Sequence, residues 1–291
     1  MKTVIKKILL PTDFSKNAQH AHAFAVELSK KTDAEIMLFH AFESTIALSD
    51  QMAVEKDSDK TIIARDMRKV AQDNLVSLVG TSNKETGIHH TMLTYEGNVH
   101  DEILKVINNE KIDLVIMGTK GKTSDEGVFL GSITKGLLTE ASCPILAIPH
   151  QADLKDIFRK IVFATDLKED DTLAINYLNG LAQLLDAEVV VLHIVEKSKR
   201  DDQEVSDLQE TISNYSKESS VQYKGLKSND IASGINEFIK EQNADILAMT
   251  THRLNFLEEI FHESLSKKMM LHSQIPFLSF NRKKNCTIFI G

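Results

Sequence analysis

The sequence has few cysteines. Its 291 residues contain two, Cys143 and Cys286, which are too few for a disulfide framework. They also lack the paired spacing of a zinc site. The start of the chain, MKTVIKKILLPTDFS, is rich in lysine, but its short apolar run breaks at Pro11 and Asp13, so we expect no export signal. A reducing, cytoplasmic localisation is the expectation.

The sequence also lacks long apolar runs and an excess of basic residues. Hydrophobic residues make up 42% of the chain, but no run approaches the ~20 residues that cross a bilayer. The formal net charge of -8 opposes extended contact with nucleic acid or an anionic membrane, because phosphates are usually neutralised by a basic face. We expect neither as a partner, while a local phosphate site stays open.

The chain consists of two copies of one unit. The phrase KKILLPTDFS begins at Lys6 and RKIVFATDLK at Arg159, and DAEIMLFH and DAEVVVLH follow at the same offset of 153. Further on the offset is 132, where IDLVIMGTK faces ADILAMTTH. Because chains of this length usually divide, we expect two domains, residues 1–150 and 151–291.

Each copy alternates short apolar runs with amphipathic segments. In the first copy, strands are predicted at 8–11, 36–39, 92–95, 114–117 and 145–148. Helices are predicted after Ser15 as an N-cap, and at 66–79, 101–109 and 132–140. Strands that alternate with helices need crossover connections, which produce a parallel sheet with helices on both faces. Each half is therefore predicted to be a doubly wound α/β domain.

The letters Gly121-Lys122-Thr123 imitate the end of a nucleotide-triphosphate P-loop. That loop, G-x-x-x-x-G-K-[ST], needs a glycine six residues before its lysine, a position that Ile116 occupies in this chain. Gly118 stands two residues too close, so the cradle would be too short. The spacing argues against a P-loop.

The glycines follow another spacing, Gly-x2-Gly-x9-Gly-Ser, directly after an apolar strand. Gly118 and Gly121 would let the backbone approach a sugar or phosphate, because no Cβ intervenes. Gly131 and Ser132 open a predicted helix whose unpaired N–H groups suit anionic oxygens, and Thr134 adds a hydroxyl. For any one of these residues, a plain turn or an ordinary N-cap is the alternative.

The stretch MGTKGKTSDEGVFLGSITKGLL, with PTDFS at the first strand end and SCPILAIP at the last, resembles the universal stress protein family over essentially the whole chain. The resemblance implies two tandem five-stranded parallel sheets of strand order 3-2-1-4-5, an adenine nucleotide alpha-hydrolase-like fold. It also implies an intramolecular pseudo-dimer through the last strands, PILAIP and IPFLSF, since an exposed apolar edge needs covering. A role for the tail 281–291 and a homodimer of whole chains stay open.

Many members of this family bind ATP through the same glycine motif. Its strand order has a switch point between strands one and four, which would place Asp13 and Gly118 across one crevice. Carried over position by position, the resemblance implies a site for ATP, with Mg²⁺ as a companion of the phosphates. Its residues, from the adenine to the phosphate side, are Pro11, Thr12, Asp13, Ala41, Met117, Gly118, Lys120, Gly121, Gly131, Ser132 and Ile133.

The second copy departs from this motif. Its three glycine positions hold Thr250, Arg253 and Glu263, and Ser264 alone is retained. Glu263 would place a carboxylate where phosphate oxygens should lie, and like charges repel strongly at close range. The second half is therefore predicted not to bind ATP in the family's way.

We predict no catalytic residue and no protein-bound metal. Asp13 lacks the companion acidic pair of a phosphoacceptor, and neither a nucleophile–base pair nor HExxH is found. His40 and His193 occupy equivalent strand ends, where a structural role is expected. His89 and His90 are adjacent, so on a strand they point to opposite faces and do not easily share one ion.

The expected function is ATP binding in stress response or regulation, with one site per chain and protein partners that the sequence does not name. One alternative is a ligand-independent interaction scaffold that uses the glycines as turns. The other is a slow ATPase.

Overall fold

The structure is a computed structural model, and it describes residues 5–43, 57–80, 87–120, 130–154, 157–166, 171–196, 221–251 and 275–281. In these residues, ten strands alternate with six helices. The strands are β1 (Lys7–Pro11), β2 (Glu35–Phe42), β3 (His90–Glu96), β4 (Leu114–Gly118), β5 (Ile145–Ile148), β6 (Lys160–Thr165), β7 (Glu188–Glu196), β8 (Val221–Ser228), β9 (Ile246–Thr251) and β10 (Phe277–Asn281). The helices are α1 (Lys16–Thr32), α2 (Asp57–Gly80), α3 (Val99–Asn109), α4 (Ser132–Glu140), α5 (Asp171–Leu185) and α6 (Ile231–Gln242).

All ten strands form one sheet, in the order β3-β2-β1-β4-β5-β10-β9-β6-β7-β8. Read from the edge of the sheet toward the join between the halves, each half therefore has the predicted strand order 3-2-1-4-5. Pairings within a half are parallel. The predicted α/β fold with two tandem doubly wound units is confirmed.

The same register recurs in both halves. Ile8 of β1 pairs with Leu114 of β4, and Ile161 of β6 pairs with Ile246 of β9. These pairs correspond under the two sequence offsets, so the offsets identify residues that are also equivalent in space. Positions of the two halves can therefore be compared one by one.

The halves join through β5 and β10, which pair antiparallel. Leu146 faces Leu278, and these two residues are equivalents of one another, so a pseudo-twofold axis passes between them. The apolar last strands cover each other as predicted, because the buried residues of an unpaired edge strand would otherwise meet solvent. The intramolecular pseudo-dimer is confirmed.

Two apolar layers cover the faces of the sheet. One layer contains Phe24 of α1, Leu75 of α2 and Leu178 of α5. The other contains core residues of α3, α4 and α6, such as Leu137 and Phe238. Each layer draws residues from both halves, so the core runs without interruption across the join.

Most helix boundaries of the structure agree with local features of the sequence. The Ser15 hydroxyl caps α1 by accepting from the Ala18 amide at 3.2 Å, as predicted. α2 begins at residue 57 rather than 66. Its added turns carry the exposed Ile62 and Ile63, 55% and 43% accessible, instead of a buried apolar stripe, so periodicity did not reveal them.

Candidate functional site

The candidate site lies at the switch point of the first half, between β1 and β4. Ile8 and Leu114 pair in parallel, so the segments after Pro11 and after Gly118 leave the sheet at the same edge. Open α/β sheets bind ligands in the crevice outside the carboxyl ends of strands at such a point. Thr12 to Asp13 and Thr119 to Lys120 therefore face a common crevice.

Three residues predicted for the adenine and ribose side lie at neighbouring strand ends. Pro11 is the last residue of β1, Ala41 is next to last in β2, and Met117 is next to last in β4. Ala41 and Met117 are buried, whereas Pro11 is half-buried. Their positions at neighbouring strand ends put them at the same edge of the sheet.

The loop after β1 is held by its own side chains. The Thr12 hydroxyl accepts from the Phe14 amide at 3.0 Å, and Asp13 Oδ1 accepts from the Ser15 amide at 2.9 Å. Thr12 is buried and Asp13 is half-buried. Asp13 is therefore fixed at the rim of the crevice by the start of α1.

His40 holds the same loop from the adjacent strand. Its Nδ1 lies 2.8 Å from the Thr12 carbonyl, which can only accept, so Nδ1 carries the proton. Its ring lies 4.6 Å from that of Phe14, a residue with φ of 60°. In the second half, His193 Nδ1 makes the equivalent bond to the Thr165 carbonyl at 3.0 Å. These bonds support the predicted structural role of both histidines.

Gly118 ends β4 against the first turn of α1. A Cβ at this position would lie 3.2 Å from the backbone of Asn17, which is tighter than ordinary van der Waals contact. Asn17 also donates its side-chain amide to the Lys120 carbonyl at 3.1 Å. Gly118 is therefore required for the approach of α1, whether or not a ligand also needs it.

The N-terminus of α4 opens toward the end of β4. Gly131 is the N-cap and has no side chain to accept from the first turn, with φ of -65° and ψ of 160°. Its amide donates to the Thr119 carbonyl at 2.7 Å, which anchors the helix start beside the crevice. Helix geometry leaves the N–H groups at Ser132 and Ile133 without partners inside the helix. Ser132 is exposed.

Two expectations for the phosphate side need correction or fall outside the described residues. The hydroxyl of Thr134 donates to the Gly118 carbonyl at 3.2 Å and is buried, so it stabilises the fold instead of facing a ligand. Gly121 lies outside the described residues, as do Lys122 and Thr123. The described part of the candidate site therefore consists of the ends of β1 and β4 and the start of α4.

At the equivalent strand ends of the second half, side chains hydrogen-bond to one another. Thr250 stands in the place of Gly118, and Asp171 in the place of Ala18 on the buried face of the first helix. Asp171 Oδ1 accepts from the Thr250 hydroxyl at 2.5 Å, and its Oδ2 accepts from the Thr165 hydroxyl. Asp171 is 3% exposed.

The role of Asp171 was not predicted from the sequence. Aligning the two copies at the offset of 153 could have indicated it, because a carboxylate there occupies a helix position that is apolar in the other copy. The loss of the second site was predicted from Thr250, Arg253 and Glu263, and the last two lie outside the described residues. In the described part of the second half, the hydrogen-bonded group Thr165, Asp171 and Thr250 is one difference from the first half at this edge of the sheet.

A histidine pair lies between α1 and the start of β3. The Nε2 atoms of His22 and His90 are 3.2 Å apart, and His90 Nδ1 lies 3.1 Å from the Ile88 carbonyl. Burial, and secondarily the nearby His90, lowers the pKa of His22 from 6.5 to about 4. Burial also lowers the pKa of His90. This pairing was not predicted, because the two residues lie on elements far apart in the chain.

Neither a metal centre nor a membrane span is found in the described ranges. No group of three or more His, Cys, Asp or Glu side chains there is placed to hold a metal ion. No helix of those ranges has the length and apolarity needed to cross a membrane.

Comparison with known proteins gives one consistent result. The sequence model of the Universal stress protein family matches residues 5–149 and again 157–280. A universal stress protein of Methanocaldococcus jannaschii is 30% identical over 149 residues, which is 50% of this chain and 84% of that protein.

Two solved structures resemble the chain over both halves. The crystal structure of a universal stress protein from Archaeoglobus fulgidus has a TM-score of 0.70 at 18% identity, covering 95% of this chain and 98% of that one. A putative universal stress protein from Pseudomonas aeruginosa has a TM-score of 0.59 at 14% identity, covering 98% and 97%. At these identities, the likeness shows the fold.

Proposed function

This chain belongs to the universal stress protein family, and from that premise we propose that its first half binds ATP in the crevice between β1 and β4. The adenine and ribose lie against Pro11, Ala41 and Met117, and the phosphates against the start of α4. The bound nucleotide changes the surface offered to protein partners in a stress-related or regulatory role. Binding, rather than turnover, is the proposed activity.

One observation carries the proposal: a helix with an uncapped start is anchored at the switch point. The Gly131 amide ties α4 to the end of β4 at 2.7 Å, beside the loop that contains Asp13. The N–H groups at Ser132 and Ile133 and the positive end of the helix dipole suit phosphate oxygens. Lys120 adds a positive charge at the same edge, which favours a polyphosphate over an uncharged ligand.

Mg²⁺ enters the proposal only as a companion of the nucleotide. Octahedral Mg²⁺ typically keeps several waters and is bound by substrate phosphates with one or two carboxylates. Asp13 is placed on the adenine side, so the proposed ion is held by the nucleotide phosphates and water.

A ligand-independent scaffold is the second candidate, and one observation favours it. Gly118 and Thr134 both have contacts within the fold, to Asn17 and to each other, that account for them without any ligand. Under this reading, the start of α4 is an ordinary helix end.

Isothermal titration calorimetry with ATP, with and without Mg²⁺, tests the proposal. We expect about one site per chain. A Gly131→Glu substitution, which copies Glu263 of the second half, should weaken ATP binding roughly 100-fold or more. The reason is that it places a negative carboxylate at the helix end that faces the phosphates. The backbone at Gly131 has φ of -65°, which any residue adopts.

Gly80→Glu is the matched control, since it introduces the same charge at a position where a new Cβ meets nothing within 4 Å. It should bind ATP like the parent protein. Absence of ATP binding by the parent protein would favour the scaffold, and steady phosphate release with Mg²⁺ would indicate an ATPase.

A further inference from the structure

Asn281, the last residue of β10, contacts the helix of the proposed phosphate site. Its Nδ2 donates to the Thr139 carbonyl at 2.7 Å and to the Ala141 carbonyl at 3.0 Å. Both protons of the amide are therefore used, and the residue is 7% exposed. The final carbonyls of a helix have no partner within it. A side chain of the second half thus caps the C-terminus of α4 in the first half.

α4 is held at both of its ends. At its start, the Gly131 amide donates to the Thr119 carbonyl, and the Thr134 hydroxyl donates to the Gly118 carbonyl. Between its ends, the helix packs on β5 and on β10. Because α4 has only nine residues, a displacement at its C-terminus is passed to its N-terminus with little bending. The position of the N–H groups proposed to bind phosphate at the start of α4 therefore depends on the hydrogen bonds that Asn281 makes to its C-terminus.

The equivalent position of the first half lacks the donor that this contact needs. At the offset of 132, Asn281 corresponds to Pro149, whose side chain has no hydrogen-bond donor. The first half therefore cannot offer this cap to the second half. The half that supplies the cap is the one in which Asp171 and Thr250 bond to each other at the equivalent strand end.

We infer that the second half regulates the nucleotide site of the first half, with Asn281 as the positioning residue that sets the start of α4 against the phosphates. The inference rests on the proposed function. Asn281 acts through α4 and does not touch the nucleotide. Loss of its side chain should therefore weaken phosphate binding and leave the adenosine contacts unchanged.

The test compares ATP and adenosine affinities of the full chain by calorimetry. Asn281→Ala should weaken ATP binding about 3- to 10-fold, the effect of losing two hydrogen bonds that orient the site, with adenosine affinity unchanged. Asp230→Ala is the control, because it removes the N-cap bond to the Ser233 amide in α6, elsewhere in the second half. It should reduce stability by a similar amount without changing either affinity.

Amide hydrogen exchange adds a readout that does not need a ligand. In Asn281→Ala, the amides of Gly131 and Lys135, which anchor the first turn of α4, should exchange faster than in the parent protein and in Asp230→Ala. Equal weakening of ATP and adenosine, or equal effects of the two substitutions, would overturn the inference. So would normal ATP affinity in Asn281→Ala. Failure of the parent protein to bind ATP would instead overturn the proposed function, and this inference with it.

Discussion

At the scale of residues, His22 and His90 form a hydrogen bond that requires His90 Nε2 to be unprotonated. The Ile88 carbonyl can only accept, so His90 Nδ1 carries the proton and its Nε2 is the acceptor for His22 Nε2–H. A proton on His90 Nε2 would remove that acceptor and leave two N–H donors facing each other across 3.2 Å. The pair is therefore a pH-sensitive element of the packing between α1 and β3.

Stability should fall on acidification through this pair. The folded-state pKa of His22 is about 4, and its ordinary value is 6.5, so between these values the unfolded chain binds more protons. The contribution of His22 to the free energy of unfolding is fully present above pH 6.5 and is lost as the pH falls toward 4. This contribution is about 3 kcal/mol at most. The lowered pKa of His90 acts in the same direction. Urea unfolding at a series of pH values measures the loss.

His22→Gln should flatten this pH dependence, because an amide can donate to His90 without titrating. His89→Gln is the control, since the His89 side chain is 78% exposed. If the parent protein and His22→Gln lose stability in parallel between pH 7 and pH 4.5, the pair does not have this role.

At the scale of elements, the two halves differ in how the first helix meets the fourth strand. In the first half, Gly118 lets α1 approach, and Ala18 fills the buried helix face. In the second half, Thr250 and Asp171 take those positions and bond to each other at 2.5 Å. The two solutions are alternative ways to pack a helix on a strand at the same place.

A double-mutant cycle tests whether the two solutions are interchangeable. Ala18→Asp alone should cost about 3 kcal/mol or more, since a buried carboxylate is left poorly paired. Gly118→Thr alone should cost about 1–3 kcal/mol through overpacking against Asn17. Together they should recover at least about 1 kcal/mol, because the new hydroxyl and carboxylate can bond. Strictly additive losses in chemical denaturation would contradict this account.

At the scale of the whole molecule, the ten-stranded sheet makes the two halves one cooperative unit. Both apolar layers contain residues of both halves, and Leu278 lies among them at 2% exposure. Shared cores favour a single unfolding transition. The nucleotide proposal and the cap by Asn281 both depend on this continuity, because α4 packs on strands of both halves.

Differential scanning calorimetry should show one transition with equal calorimetric and van't Hoff enthalpies. Leu278→Glu should destabilise the whole chain by about 4 kcal/mol or more, because it buries a charge at the join. Leu226→Glu on the outer strand β8, where Leu226 is 36% exposed, should change stability by no more than about 0.5 kcal/mol. Two separate transitions in the parent protein would show that the halves unfold independently.

Much of this organisation is readable from the order of the amino acids. Strand periodicity predicted β1, β2, β3, β4 and β5, and the two offsets matched residues that the sheet registers show to be equivalent. The first turns of α2 were not predicted, because Ile62 and Ile63 are exposed and do not continue the apolar face of the helix. Residues of the glycine motif were identifiable because their backbone role depends on local spacing.

What the sequence by itself determined is the duplicated α/β fold, the strand order that its family implies, and which half keeps the glycine motif. These follow from local periodicity and from comparison of one copy with the other. Only the tertiary structure decided that His22 meets His90, that Asp171 joins Thr165 and Thr250, and that Asn281 caps α4. Such contacts depend on side-chain packing between elements that are distant in the chain, and a linear pattern contains no record of that packing.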